Sequence, residues 1–227
     1  MLIPGLSNTD AENVFVGTVA AGAVYLGSTL VWPNVTGTPG VMGEQLITNA
    51  GNNRYGELWQ LSIPAAATTV DVVMIGGGGG AQDGGTLGSG KGGGVGNWVT
   101  ATYTIATDYP NRVMSGKVGY GGPGAQALPN FGSADGFPAT LYKADNTTIA
   151  IQSAGGKREG ASGRTGATPP DITYNGRTYN GGAGGTSSNK NGVDGQAPGG
   201  GGQGGDVEIT GTYGGQGGSA GVYLFFY

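Results

Sequence analysis

Glycine limits what this chain can build. Of its 53 glycines, 44 fall in residues 76–227 and only 9 in residues 1–75. An ordinary front is thus joined to a rear that is about 29% glycine. Stable helices are excluded at that density, because glycine is about 1 kcal/mol worse than alanine at each helical position. Glycine also loses more backbone freedom on folding than any other residue, and fixing a residue costs roughly 1–2 kcal/mol. No side chain offsets that loss. The remaining source of order is hydrogen bonding between backbones packed side by side. An extended helix of the polyproline-II type has three residues per turn and no internal hydrogen bonds. Without Cβ atoms, several such helices can lie in contact and satisfy one another. The tracts Gly181–Gly185, Gly199–Gly205 and Gly214–Gly218 either pack as such a polyglycine-II bundle or stay as mobile loops. The requirement that buried backbone groups be paired favours the bundle.

Composition narrows the function. Gly and Pro together make about 28% of the chain, a level usual in low-complexity sequence. Disorder, however, pairs low hydrophobicity with high net charge. Here 37% of residues are hydrophobic and the net charge is −4. The chain holds no His and no Cys, which excludes imidazole bases, Cys nucleophiles, disulfides and His or Cys metal sites. A pI near 4.6 with scattered Lys and Arg argues against a nucleic-acid partner. No apolar run reaches 18 residues, so no membrane insertion is expected. The first 30 residues carry no Lys or Arg, so no secretory signal is expected either. The sequons at Asn34 and Asn146 are then chance matches.

The front repeats itself. Val14-Phe15-Val16-Gly17-Thr18 aligns with Val24-Tyr25-Leu26-Gly27-Ser28, which predicts a short β-hairpin or turns of a β-spiral over residues 1–36. Leu30, Val31 and Trp32 extend its second strand to Pro33. A lone hairpin is marginal in water, so Phe15, Tyr25 and Trp32 are candidate docking residues toward a partner. Residues 37–56 read as a linker with a short strand at 45–48. A glycine-rich domain follows at 57–227. Its predicted strands are 58–63, 70–75, 97–105, 112–118, 139–142, 148–153, 207–210 and 222–227. Val72-Val73-Met74-Ile75 is apolar on both faces, as in a fully buried strand. The closing run Val222–Tyr227 is an aggregation hazard unless it is central or covered. The fold class expected is all-β: the hairpin, then a β-sandwich-like domain with packed glycine tracts.

Three motifs invite chemistry and fail on context. Gly85-Thr86-Leu87-Gly88-Ser89-Gly90-Lys91 fits seven positions of a phosphate loop, but Gly92 stands where Ser or Thr is needed and no helix can follow. Gly88–Gly93 spells G-x-G-x-x-G, a spacing common by chance at this glycine content, without the βαβ unit it requires. Gly201–Ile209 approaches a calcium nonapeptide, but in one copy and with Glu208 at the apolar position. The 14 acids are scattered singly. No enzyme activity, cofactor or metal is expected. Tyr174, Asn175, Arg177 and Tyr179, with Asn130 and Phe131 in another loop, have the composition of adaptable recognition loops and suit sugar surfaces. Tyr174 and Tyr179 equally suit a short hairpin that packs locally.

These residues resemble a known family. Val24-Tyr25-Leu26-Gly27-Ser28-Thr29-Leu30-Val31-Trp32-Pro33 is similar to a signature near the start of glycine-rich minor tail proteins of tailed phages, especially those of actinobacteria. Ile63-Pro64-Ala65 with Val70–Gly76, then Gly119–Gly124, Ser153–Gly156 and Gly217–Tyr227, resemble successive stations of the phage glycine-rich domain. The resemblance implies a virion component at the tail tip, in several copies and favouring a homotrimer. Its partners would be other tail-tip proteins and the host envelope, a glycan surface included. A purely structural tail role without receptor contact is the alternative.

Overall fold

In a computed structural model, residues 25–26, 29–30, 43–48, 56–126, 132–208 and 211–227 are described. Strands dominate among them. They are β1 (Tyr25–Leu26), β2 (Thr29–Leu30), β3 (Gly43–Thr48), β4 (Glu57–Ser62), β5 (Thr69–Ile75), β6 (Trp98–Thr104), β7 (Val113–Val118), β8 (Ala139–Tyr142), β9 (Ile149–Ser153), β10 (Ile172–Tyr174), β11 (Arg177–Tyr179) and β12 (Gly221–Phe226). One helical turn, α1 (Ile105–Asp108), links β6 to β7.

Two four-stranded antiparallel sheets form a sandwich, ordered β3-β12-β5-β6 and β4-β7-β8-β9. The alternation of strand side chains sends Val70, Val72 and Met74 of β5 and Val222, Leu224 and Phe226 of β12 into one core. They meet Trp59 and Leu61 of β4, Met114 and Val118 of β7, and Leu141 of β8. The C-terminal run is central, with β3 on one side and β5 on the other. Its apolar edge is thereby removed from solvent. β5 is buried on both faces because Val73 packs outward under Tyr179 and Tyr223. The β10–β11 hairpin forms that outer cover.

Several expectations change. The Val24–Trp32 stretch is not one strand: Tyr25 pairs with Leu30 and Leu26 with Thr29, so the chain reverses after Leu26. The expected partner strand at residues 14–18, with Phe15, lies outside the described residues, as does Trp32. The supposed linker at 37–56 supplies β3, which is hydrogen-bonded along its length to β12. A strand was expected at 207–210, but Val207 and Glu208 are irregular, and residues 209–210 lie outside the described set.

The glycine tracts pack as a polyglycine-II bundle. From residue 76 to 82 the N–H groups turn by one third at each step. Gly76, Gly79 and Gln82 donate to Asn97, Gly94 and Lys91; Gly77 and Gly80 to Phe137 and Ala134; Gly78 and Ala81 to Gly218 and Gly215. The carbonyls follow the same period. Gly77 and Gly80 accept from Gly156 and Glu159, Gly78 and Ala81 from Gly122 and Ala125, Gly79 and Gln82 from Gly202 and Gly205. This tract therefore bonds six neighbours, the coordination of a hexagonal lattice. The tract 199–205 is surrounded in the same way, bonding to 79–82, 164–167, 193–196, 215–219, 90–96 and Gly185. A Cβ on any of Gly76 to Gly80 would lie closer than 3.0 Å to a neighbouring carbonyl. Hence only glycine fits there.

Strand register sets where the bundle sits. Ile75, Trp98 and Gly221 lie together at one end of the first sheet. Ser153 pairs with Ala139 at the matching end of the second, beside Val118 and Glu57. The tracts at 76, 97, 119, 154 and 220 all start from this end. The bundle thus extends the loops of one end of the sandwich.

Candidate functional site

Tracing the tracts outward gives the far end of the bundle. The segment 76–82 leaves the sandwich and 90–97 returns, so residues 83–89 form a tip. The tracts 154–160 and 199–205 run out to this end by the pairing of Gly80 with Glu159 and of Gln82 with Gly205, and the segment after 181–185 reaches it by the pairing of Lys190 with Asp206. Residues 83–89, 186–191, 206–208 and 211–212 therefore gather there, beside 160–163. Residues 125 and 134 reach the level of Ala81 and Gly80, to which they are hydrogen-bonded.

These loops are tied together. Arg164 Nε donates to the Gly204 carbonyl at 3.0 Å, and its Nη2 donates to the Asn189 carbonyl. Its Nη1 lies 3.5 Å from Asp206 Oδ2. Ser89 Oγ donates to Asp206 Oδ1 at 3.0 Å. The Val207 N–H and the Ser89 hydroxyl hold the Asp206 carboxyl below its ordinary range. Thr212 Oγ1 donates to the Asp206 carbonyl at 2.7 Å and accepts from the Gly84 N–H at 3.2 Å. Lys190 pairs with Glu208. One guanidinium and one carboxylate thus lock three loops. A second clasp joins Lys157 Nζ and the Arg158 N–H to Asp135, at 2.9 and 2.8 Å. The clasped loops hold outward the apolar side chains of Leu87, which is fully exposed, and of Val207 and Tyr213.

The predicted recognition residues divide. Asn130 and Phe131 lie outside the described residues. Tyr174, Asn175, Arg177 and Tyr179 come together, but on the outer face of the first sheet, away from the bundle tips. Tyr179 is buried, with its ring 5.0 Å from that of Tyr223. Asn175 Nδ2 donates to Asp71 Oδ1 at 2.9 Å, and Tyr174 Oη lies 2.9 Å from Thr102 Oγ1. Arg177 sits 3.2 Å over the Phe225 ring and donates to Tyr227 Oη at 3.0 Å. Asn175 and Gly176 both have positive φ, 45° and 76°, the geometry of a two-residue hairpin turn. The Asn-Gly pair was the legible signal for this hairpin. These four side chains fasten it to the sheet. Of the docking residues, only the backbone of Tyr25 is described, in β1.

The phosphate-loop match also resolves. Residues 85–91 form the tip and the start of a returning tract, with no helix behind them. Leu87, Arg164 and Asp206 escaped notice as site residues because single non-glycine residues between tracts show no periodicity. Their place at the turns between tracts was the available clue.

Comparison with known proteins now decides the family. Residues 53–227 match the model of the glycine-rich domain. The chain belongs to the glycine-rich domain family. The Gene 32 protein of Mycobacterium phage D29 is similar, 34% identical over 222 residues that cover 92% of each chain. That coverage reaches upstream of residue 53, so the likeness takes in part of the front. Together the matches make this a glycine-rich protein of bacteriophage type. In this chain the glycine tracts within the matched residues form the bundle, and the turns between them form the tips.

Proposed function

We propose that this glycine-rich protein is a structural component of the phage virion, placed at the distal tail tip, whose bundle loops contact the host envelope. One observation carries the reading: loops from separate parts of the chain converge on one end of a rigid bundle and expose apolar side chains there. The path of the chain supports it. Gly43 pairs with Phe226, whereas Thr48 pairs with Gly221 beside the bundle. The front therefore enters the domain at the end opposite the loops. A front docked on other tail proteins leaves the loops pointing away from the virion. Several copies, a homotrimer in this reading, would bind through many weak contacts, because linked sites raise avidity without a deep pocket.

The test is binding of the fluorescent full chain to cells of the phage host, with oligomeric state measured by light scattering. Saturable binding competed by whole phage, and weakened about tenfold or more by Leu87→Ser with Val207→Ser, supports the reading. A folded chain that does not bind, yet is located in the tail by immunogold labelling, leaves a scaffold role alone.

A further inference from the structure

The two outer faces of the sandwich are treated differently. The first sheet is covered by the β10–β11 hairpin. Among the described residues nothing comparable covers the second, β4-β7-β8-β9, and Leu58 on it is 63% exposed. Two adjoining grooves of about 280 and 320 Å³ run across it. Leu58, Trp59, Gln60, Ser115 and Asn146 line the first; Lys117, Phe137, Thr140, Ile149 and Gln152 line the second. Tyr142 belongs to both. Across four strands at about 4.8 Å spacing the face is ~14 Å wide.

We infer that this face is a binding site for a neutral polysaccharide, distinct from the loops at the bundle tips. The lining chemistry points to that class. Among the described residues, the grooves combine rings and aliphatic groups with amides and hydroxyls, and hold one cation, Lys117, and no carboxylate. Such a lining offers apolar contact to the C–H faces of a sugar and donors and acceptors to its hydroxyls, without demanding charge. The polar groups are set in advance. Ser115 Oγ donates to Asn146 Oδ1 at 2.6 Å, which leaves the amide N–H₂ of Asn146 to donate outward. Gln152 Nε2 donates to Thr140 Oγ1 at 2.8 Å, which leaves the Gln152 carbonyl to accept. Asn146 is held at φ 58° in a turn where Asp145 Oδ1 accepts from the Thr147 and Thr148 N–H groups. Such a residue pays its ordering cost before any ligand arrives.

The experiment is an NMR titration of the ¹⁵N-labelled full chain with a panel of neutral oligosaccharides, and with polygalacturonate as an anionic control. Saturable shifts confined to Gln60, Ser115, Lys117, Thr140 and Asn146 are expected from at least one neutral member. Tyr142→Ala should weaken that binding about tenfold. Asn146→Gly, which keeps the turn, and Gln60→Ala, at an exposed edge, should each weaken it while the thermal transition stays unchanged. Leu87→Ser at the tips should leave it intact, so failure here and failure of host attachment are separable. No saturable shift from any neutral member overturns the proposal. So do shifts indifferent to all three groove variants, and preferential binding of the polyanion that Lys117→Ala abolishes.

Discussion

Gly78 and Gly85 stand seven residues apart and differ in what a methyl group would meet. A Cβ on Gly78 would run into the Gly200 carbonyl, whereas nothing lies within 4 Å of one on Gly85. Gly78→Ala is expected to cost about 3 kcal/mol or more, at the upper end of overpacking. Gly85→Ala should change stability by less than about 1 kcal/mol. Chemical denaturation of the two variants checks the contrast; equal costs would mean the tract is not close-packed. Asp145 sets a pH response at the same scale. The Thr148 hydroxyl and the Thr147 and Thr148 N–H groups bring its carboxyl from 3.8 to about 2. The folded value lies below the unfolded one, so its contribution is present above pH ~4 and is lost as pH falls from about 4 toward 2. The Thr147 and Thr148 amide signals should shift through that window, and Asp145→Asn should abolish the response.

Among the elements, the β10–β11 hairpin owes its position to polar anchors as much as to packing. Asp71 is buried and accepts from Thr102 Oγ1, Asn175 Nδ2 and Tyr227 Oη. Removing one donor strands part of a buried carboxylate, which typically costs 1–3 kcal/mol. Asn175→Gly keeps the positive φ and removes only the amide. It should destabilise the chain by about 1–2 kcal/mol in denaturant, and Asp71→Asn should lose much of that sensitivity. Additive losses in the double variant would show that the two do not interact. The sandwich strands were legible because Val70–Ile75 and Val222–Phe226 are long β-branched and aromatic runs. The hairpin was harder to read: with three-residue strands, only its Asn-Gly turn carries a signal.

At the scale of the molecule, the bundle behaves as a rigid post without helix or sheet. The amides of residues 76–82 should exchange slowly because each donates to another tract in the packing, whereas the tip amides of Thr86 and Leu87 should exchange freely. Hydrogen exchange followed by NMR distinguishes this from a set of mobile loops, which would show no protection at Gly78, Gly79 or Gly202.

Composition and pattern by themselves settled an all-β chain, an apolar C-terminal strand that needs cover, and glycine tracts able to order only against one another. Those follow from local physics: β propensity, exposed edges, and backbone groups without side chains. Tertiary structure alone decided which tract bonds which, because identical glycines carry no label of their partners. It also turned Tyr179 from a candidate contact into core and made Arg164 the clasp of three loops. Both outcomes depend on the register of the sheets, which aims every tract at one end and is set by contacts between residues far apart in the chain.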